Sequence, residues 1–254
     1  MGRPSGEVTF CFTDIEASTA LLNDLGLERY ERVLGEHRTL LRNAFMGGGV
    51  EVYTEGDGML FAWQEADDAL RACAAGQRAL ADHDWPFGVV VRVRMGLHTG
   101  EAVATADGDY IGLAVHQASR IGAAANGAQI LVSPETVGAA GDALPHGWEL
   151  HELGEFHVRD FATPLQLREL RAVDAPGVRT PPRVAIAAPR NFAAVPTSFV
   201  GRDEDVEALR ALVRVHPLVT IVGPGGVGKT RLAREVARRS TGAFVDGVWL
   251  VELE

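Results

Sequence analysis

Two aspartates in this 254-residue chain sit where the backbone turns. Asp57 lies in Glu55-Gly56-Asp57-Gly58, between the apolar runs Val50-Glu51-Val52-Tyr53-Thr54 and Met59-Leu60-Phe61-Ala62-Trp63. Glycines on both sides of an aspartate, between two runs rich in β-branched and aromatic residues, predict a tight hairpin with Asp57 at its tip. Asp14 closes a second such run, Val8-Thr9-Phe10-Cys11-Phe12-Thr13, and precedes Ile15-Glu16-Ala17-Ser18-Thr19, where Ser18 or Thr19 is expected to cap a helix. It therefore stands beside N–H groups that favour anions. If the two strands are neighbours, the carboxylates converge into a site for Mg²⁺ or Mn²⁺ carrying a nucleoside triphosphate. Taken singly, either aspartate is an ordinary cap or turn former.

A second phosphate site is written near the other end. Gly223-Pro224-Gly225-Gly226-Val227-Gly228-Lys229-Thr230 fits G-x-x-x-x-G-K-[ST] in full, after the apolar Leu218-Val219-Thr220-Ile221-Val222 and before a helical pattern through Leu232 and Val236. Strand, loop and helix are the context a P-loop requires. Gly223, Gly225, Gly226, Val227 and Gly228 would bring backbone N–H groups to the phosphates of ATP. Lys229 would meet the β and γ phosphates, and Thr230 would offer a hydroxyl to Mg²⁺.

The elements that position the aspartates follow from periodicity. Leu22, Leu25, Val33, Leu34, His37, Leu40, Leu41 and Ala44 recur at helical spacing until Gly47-Gly48-Gly49, and Ala66, Ala69, Leu70, Cys73, Ala74 and Leu80 mark a second helix ending near Trp85-Pro86. Val89 to Leu97 alternates as a half-buried strand, Gly108 to Gly112 reads as a loop, and Leu113 to Ala125 as a helix closed by Asn126-Gly127. Gln129-Ile130-Leu131-Val132 is a short strand before a helix that Ser133 caps and Pro134 opens, and strands near Trp148–Leu153 and Leu165–Leu170 complete the set. Strands alternating with helices and joined partly by hairpins predict an α+β domain of the ferredoxin-like kind, with helices on one face of an antiparallel-rich sheet. The P-loop then opens a separate α/β unit.

Composition limits the function classes. Lys plus Arg is 24 against 34 for Asp plus Glu, a formal charge of −10, so direct nucleic-acid binding is not expected. Cys11 and Cys73 read as core thiols of a reducing compartment. No apolar run is long enough for a membrane span, and the polar start is unlike a signal peptide, so the expected location is the cytoplasm. From Val173 the chain turns proline-rich and loses periodicity. The expected organisation is a first domain over 5–172, an extended linker over 173–196 and an incomplete P-loop unit over 197–254, poorly equipped to hydrolyse ATP.

Four motifs, Phe12-Thr13-Asp14-Ile15-Glu16-Ala17-Ser18-Thr19, Thr54-Glu55-Gly56-Asp57-Gly58, Val93-Arg94-Met95-Gly96-Leu97-His98-Thr99-Gly100 and Ala118-Ser119-Arg120-Ile121, stand in the order and spacing of class III nucleotidyl cyclases. The first two thirds of the chain resembles that family, and the P-loop stretch, with Phe199-Val200-Gly201-Arg202, looks like the start of a signal-transduction ATPase domain. The resemblance implies a homodimer that converts ATP to cyclic AMP and pyrophosphate with two divalent ions per site. It implies metal ligation by Asp14, Asp57 and the carbonyl of Ile15, transition-state stabilisation by Arg120, and substrate contacts from Thr13, Asp109 and Arg159. Two positions depart from the pattern: Tyr53 where adenine-selective members carry a lysine, and His116 where an asparagine orients the ribose. Each departure weakens catalysis, so the activity implied is low. A nearly inactive, nucleotide-binding dimerisation module controlling the attached ATPase is the alternative, and a nucleotide switch centred on the P-loop is a third.

Overall fold

The computed structural model describes residues 3–175, 180–184, 201–240, 244 and 248–251. The chain divides into two compact units, Met1–Val184 and Ala185–Glu254. In the first, strand β1 (Gly6–Ile15) leads into helices α1 (Ser18–Leu25) and α2 (Leu27–Phe45), then the hairpin β2 (Val50–Glu55) and β3 (Gly58–Trp63) and helix α3 (Ala66–Asp82). Strand β4 (Val93–Ala104), the short β5 (Tyr110–Ile111), helix α4 (Leu113–Ala124), strand β6 (Ile130–Val132) and helix α5 (Pro134–Ala140) follow, and β7 (Trp148–Phe156) and β8 (Leu165–Ala172) end the unit.

Hydrogen bonding orders the sheet β2-β3-β1-β4-β6-β8-β7, with β5 paired beside β4. Among the described residues only the β4–β6 pairing is parallel, in keeping with the antiparallel-rich sheet expected. Because side chains alternate along a strand, β1 sends Cys11, Thr13 and Ile15 to one face and Phe10, Phe12 and Asp14 to the other. On the first face, Cys11 and Ile15 join Phe61 and Trp63 against Val33, Leu41 and Phe45 of α2 and Leu70 and Cys73 of α3. Val33, His37, Leu41 and Phe45 are the buried stripe of α2, spaced as a helix demands. Each large apolar side chain fully buried here contributes roughly 1.5–3 kcal/mol. The two cysteines are unbridged core thiols with their sulfurs 3.4 Å apart.

Not every helix shares that face. Helix α4 packs on the opposite one, with Ala114 and Ala118 against Val8, Phe10 and Leu60, and Ile121 and Ala124 against Leu131, Phe156 and Leu167. Small residues make this close approach possible: a Cβ on Gly96 of β4 would lie 2.0 Å from the Gly122 nitrogen. The helix expected over Leu22–Ala44 is two helices, because Gly26 at φ 76 turns the chain between α1 and α2. Nor does Ser18 or Thr19 cap α1. The cap position is Ala17, in the left-handed region at φ 56, with no side-chain hydrogen bond. Ser133 does cap α5, accepting from Thr136 N–H at 3.3 Å. Strand β4 begins at Val93 rather than Val89, since Pro86–Gly88 forms a 3₁₀ turn first.

In the second unit, α6 (Asp203–Val215) and α7 (Lys229–Ser240) pack through Val206, Leu232 and Val236. The strand expected over Leu218–Val222 is not formed. A strand's hydrogen bonds come only from a neighbour, no described segment pairs with this one, and Leu218 and Val222 stay 83% and 85% exposed. Of the expected linker, 176–179 and 185–196 lie outside the described residues, as do Phe199 and Val200. Among the described residues no helix is long and apolar enough to cross a membrane.

Candidate functional site

The hairpin tip is as tight as its sequence predicts. Glu55 pairs with Gly58, leaving Gly56-Asp57 as the turn, and Gly56 takes φ 58, a conformation that excludes most side chains. Arg38 of α2 donates from Nη2 to the Gly56 carbonyl and holds the tip down. Asp57 then reaches across to β1, its Oδ2 accepting from Ile15 N–H at 3.0 Å. The hairpin tip and the end of the first strand therefore meet, and Asp14, Ile15 and Asp57 form one cluster.

Within that cluster Asp14 already has a cation. The β1–β4 register sets Asp14 opposite Arg94. Arg94 donates to Oδ1 from Nε at 2.8 Å and to Oδ2 from Nη2. Burial pushes the Asp14 carboxyl above the ordinary aspartate range, the Arg94 hydrogen bond and charge pull it back, and the Asp57 charge adds to the rise. The guanidinium occupies the carboxylate oxygens that a divalent ion would use, so it serves as a stand-in for that charge. Two hard carboxylates with an adjacent backbone carbonyl suit Mg²⁺ or Mn²⁺. Among the described residues no group of three or more His, Cys, Asp or Glu side chains could hold a metal ion by itself.

Below the tip, His37 of α2 is fully buried with neither ring nitrogen hydrogen-bonded. Burial holds its pKa down at about 4, against a smaller opposing pull from Asp57. Beside the cluster, Glu16 accepts from Gly127 N–H at 3.0 Å. A cavity of about 520 Å³ opens there, lined by Ile15, Glu16, Ala17, Ser18, Thr19, Arg94, Asn126 and Arg183.

A separate basic cluster stands on α4. His116 and Arg120, one turn apart, project away from the buried Ala114–Ala118–Ile121 side. Arg120, 37% exposed, donates from Nε to Asp160 at 2.6 Å. Arg159 lies 3.8 Å from the same aspartate. The Arg120 hydrogen bond lowers the Asp160 pKa, with smaller help from Arg159 and His116. No described hydrogen bond or ion pair joins this cluster to Asp14 or Asp57 in one chain.

Three other expected contacts have their own settings. Thr13 shares the buried face of β1 with Cys11 and Ile15, its hydroxyl without a partner, so it meets core rather than ligand. Tyr53 is half-buried on β2 beside a register shift, with burial raising its phenol pKa. Asp109 is exposed at a turn, its N–H bonded to Thr105 Oγ1 at 3.1 Å. Sequence reasoning missed Arg94, Asp160 and Arg183. The alternating Val-Arg run hinted at Arg94, but only the strand register places it against Asp14.

In the second unit the glycine-rich loop 223–230 closes on itself. Gly226 and Gly228 adopt φ 75 and 90, and Lys229, at the start of α7, donates from Nζ to the carbonyls of Gly223 and Pro224 at 2.9 and 2.8 Å. Arg202 Nη1 donates to the Val227 carbonyl at 3.2 Å.

The chain is 34% identical over 200 residues to an adenylate cyclase of Neurospora crassa, covering 68% of this chain and 9% of that protein. It is 30% identical over 203 residues to an uncharacterized protein of Mycobacterium tuberculosis, covering 78% of this chain and 68% of the other. It thus spans only a small part of the fungal cyclase. Among solved structures, a Trypanosoma brucei adenylate cyclase in its monomeric state superposes with TM-score 0.64 at 23% identity, over 73% of this chain and 97% of that one. An adenylate/guanylate cyclase/hydrolase from Silicibacter pomeroyi gives 0.53 at 27% identity, over 66% and 98%. Residues 198–253 match the AAA ATPase domain. Residues 2–168 match the adenylate and guanylate cyclase catalytic domain, and the chain belongs to that family.

Proposed function

We propose that the first unit is a nucleotidyl cyclase forming cyclic AMP and pyrophosphate from ATP, at a low rate, in a homodimer. The observation that carries this reading is the meeting of Asp57 with the end of β1, which sets two carboxylates side by side next to the cavity at Ile15–Thr19. Two divalent ions, Mg²⁺ or Mn²⁺, would be held by Asp14, Asp57 and the Ile15 carbonyl, and would supply the charge that activates the ribose 3′-hydroxyl and balances the triphosphate. The 3′-hydroxyl gives up its proton to water, its oxygen bonds to the α phosphorus as the bond to the bridging oxygen breaks, and pyrophosphate departs. Arg120 neutralises charge developing on the α phosphate. His116 donates to the ribose, Tyr53 and Asp109 face the base, and Arg159 meets phosphate.

Reaching that state requires two arginines to change partners. Arg120 leaves Asp160, a pair more than a third exposed on both sides and so readily exchanged in water. Arg94 leaves the less exposed Asp14, which costs more and contributes to the low rate. In this reading a second copy supplies one half of each site, the carboxylates coming from one chain and the α4 arginine from the other.

A specific observation supports a second reading, a cyclase-like module that binds nucleotide and controls the attached P-loop unit. Arg94 and Asp160 hold the two key groups in pairs that leave neither turned to substrate. In both readings ATP binds the P-loop once Lys229 leaves the Gly223 and Pro224 carbonyls for the phosphates. Incubating the purified chain with ATP or GTP and Mn²⁺, then separating the products by chromatography, distinguishes the two. Cyclic AMP supports the enzyme; tight triphosphate binding without any cyclic product supports the module.

A further inference from the structure

We propose that Arg183 is a triphosphate-binding residue of the carboxylate pocket, brought there by the segment that follows β8. The proposal rests on the cyclase reading and adds to it a cation from outside the four motifs.

Residues 180–184 fold back over the turn after α4. Gln129 Nε2 donates to the Thr180 carbonyl at 3.0 Å, Asn126 Nδ2 to the Pro181 carbonyl at 2.9 Å, and Arg183 N–H to the Ala124 carbonyl at 2.7 Å. Val184 packs beside the cluster of Ile121, Phe156 and Leu167. This backbone is fixed on both sides of Arg183, while the side chain is 51% exposed and its guanidinium approaches Glu16 Oε1 at 3.7 Å. That distance is a loose ion pair, and Glu16 already accepts from Gly127. Arg183 also lines the cavity of about 520 Å³ with Ile15, Ala17, Ser18 and Arg94.

Charge decides what the position is for. Asp14, Glu16 and Asp57 make this corner acidic, and Arg94, paired with Asp14 by two hydrogen bonds, is released only when the ions displace it. A triphosphate entering it needs further positive partners beyond the ions it brings. A guanidinium engages two phosphate oxygens at once, and a fixed backbone lowers the ordering cost of doing so. Arg183 has both properties, and its present contact is weak enough to exchange.

The test uses the full chain carrying Lys229→Ala, so that the P-loop does not contribute to the nucleotide signal. In that background Arg183→Ala and Arg183→Lys are compared for the KM of Mn²⁺·ATP and for equilibrium binding of ATP and of AMP. Arg183→Ala is expected to weaken ATP about tenfold and AMP not at all. Its melting temperature stays unchanged, and Arg183→Lys recovers part of the loss. ATP affinity within twofold of the parent, or equal losses for ATP and AMP, overturns the proposal. A parent chain that binds ATP and makes product while Arg183→Ala matches it removes this inference alone. If the parent neither binds ATP nor forms product, the cyclase reading falls and takes Arg183 with it.

Discussion

Replacing Asp57 by asparagine and by alanine separates its two jobs. The carboxylate accepts the Ile15 N–H at 3.0 Å in a part-buried position, fastening the hairpin tip to β1, and it is also one of the two proposed metal ligands. An asparagine oxygen can still accept that N–H; alanine leaves it unpaired. Losing a hydrogen bond to a charged group costs about 1.5–3 kcal/mol, and exchanging it for a neutral one costs about 1 kcal/mol. For a domain of this size each kcal/mol lowers the melting temperature by roughly 2–4 °C. Alanine should therefore melt roughly 3–12 °C below wild type and asparagine only about 2–4 °C below. Both lose the charge, so both should lose at least about 100-fold in cyclic-product formation, by analogy with removing one preorganised electrostatic partner. Melting scans and product assays on the same preparations read the two effects. An asparagine variant with near wild-type turnover, beside an alanine variant whose loss follows only its stability, would show that Asp57 is a fastener and nothing more.

Two further outcomes follow from the core. His37, held at about 4 against an ordinary 6.5, favours the folded state while it is neutral. That stability is fully present above the unfolded pKa and is lost as pH falls from 6.5 toward 4, a contribution of roughly 3 kcal/mol. Urea denaturation at pH 7 and pH 4.5 should show His37→Leu losing much less stability than wild type over that interval, and equal losses would refute the assignment. Gly96→Ala places a methyl 2.0 Å from the backbone nitrogen of Gly122, where neither main chain can yield cheaply. It should cost about 3 kcal/mol or more, read as a fall in melting temperature or a shift to insoluble expression, and an unchanged melting temperature would show that α4 sits further from the sheet.

What the sequence disclosed, and what it hid, divides by the range of the interaction. The Gly56-Asp57 turn is a local event with a strong signature, and the convergence of Asp57 with β1 required only that two strands be neighbours. The α4 register was equally plain, since Ala114, Ala118 and Ile121 mark the buried side and leave Arg120 outside. Partners distant in sequence were another matter. Arg94 faces Asp14 because β1 and β4 align at those residues, and a slip of one residue would have sent it to the opposite face. Asp160 reaches Arg120 from the loop between β7 and β8. Gly26 breaks the first long helix although the apolar period runs through it, because a positive φ overrides periodicity. Ala17 takes a left-handed cap that no alanine advertises. Leu218–Val222 has the composition of a strand, and among the described residues no neighbour pairs with it to make it one.

The most direct test of the account mixes two disabled chains. Asp57→Asn removes a carboxylate and Arg120→Ala removes the α4 cation, so each homodimer alone should be nearly inactive. If every site takes its carboxylates from one copy and its arginine from the other, an equimolar mixture should recover roughly a quarter of wild-type activity. About half of its dimers are mixed, and each of those has one intact site of two. A mixture no more active than its separate components, with both variants folded and exchanging subunits, would contradict a site shared between two chains.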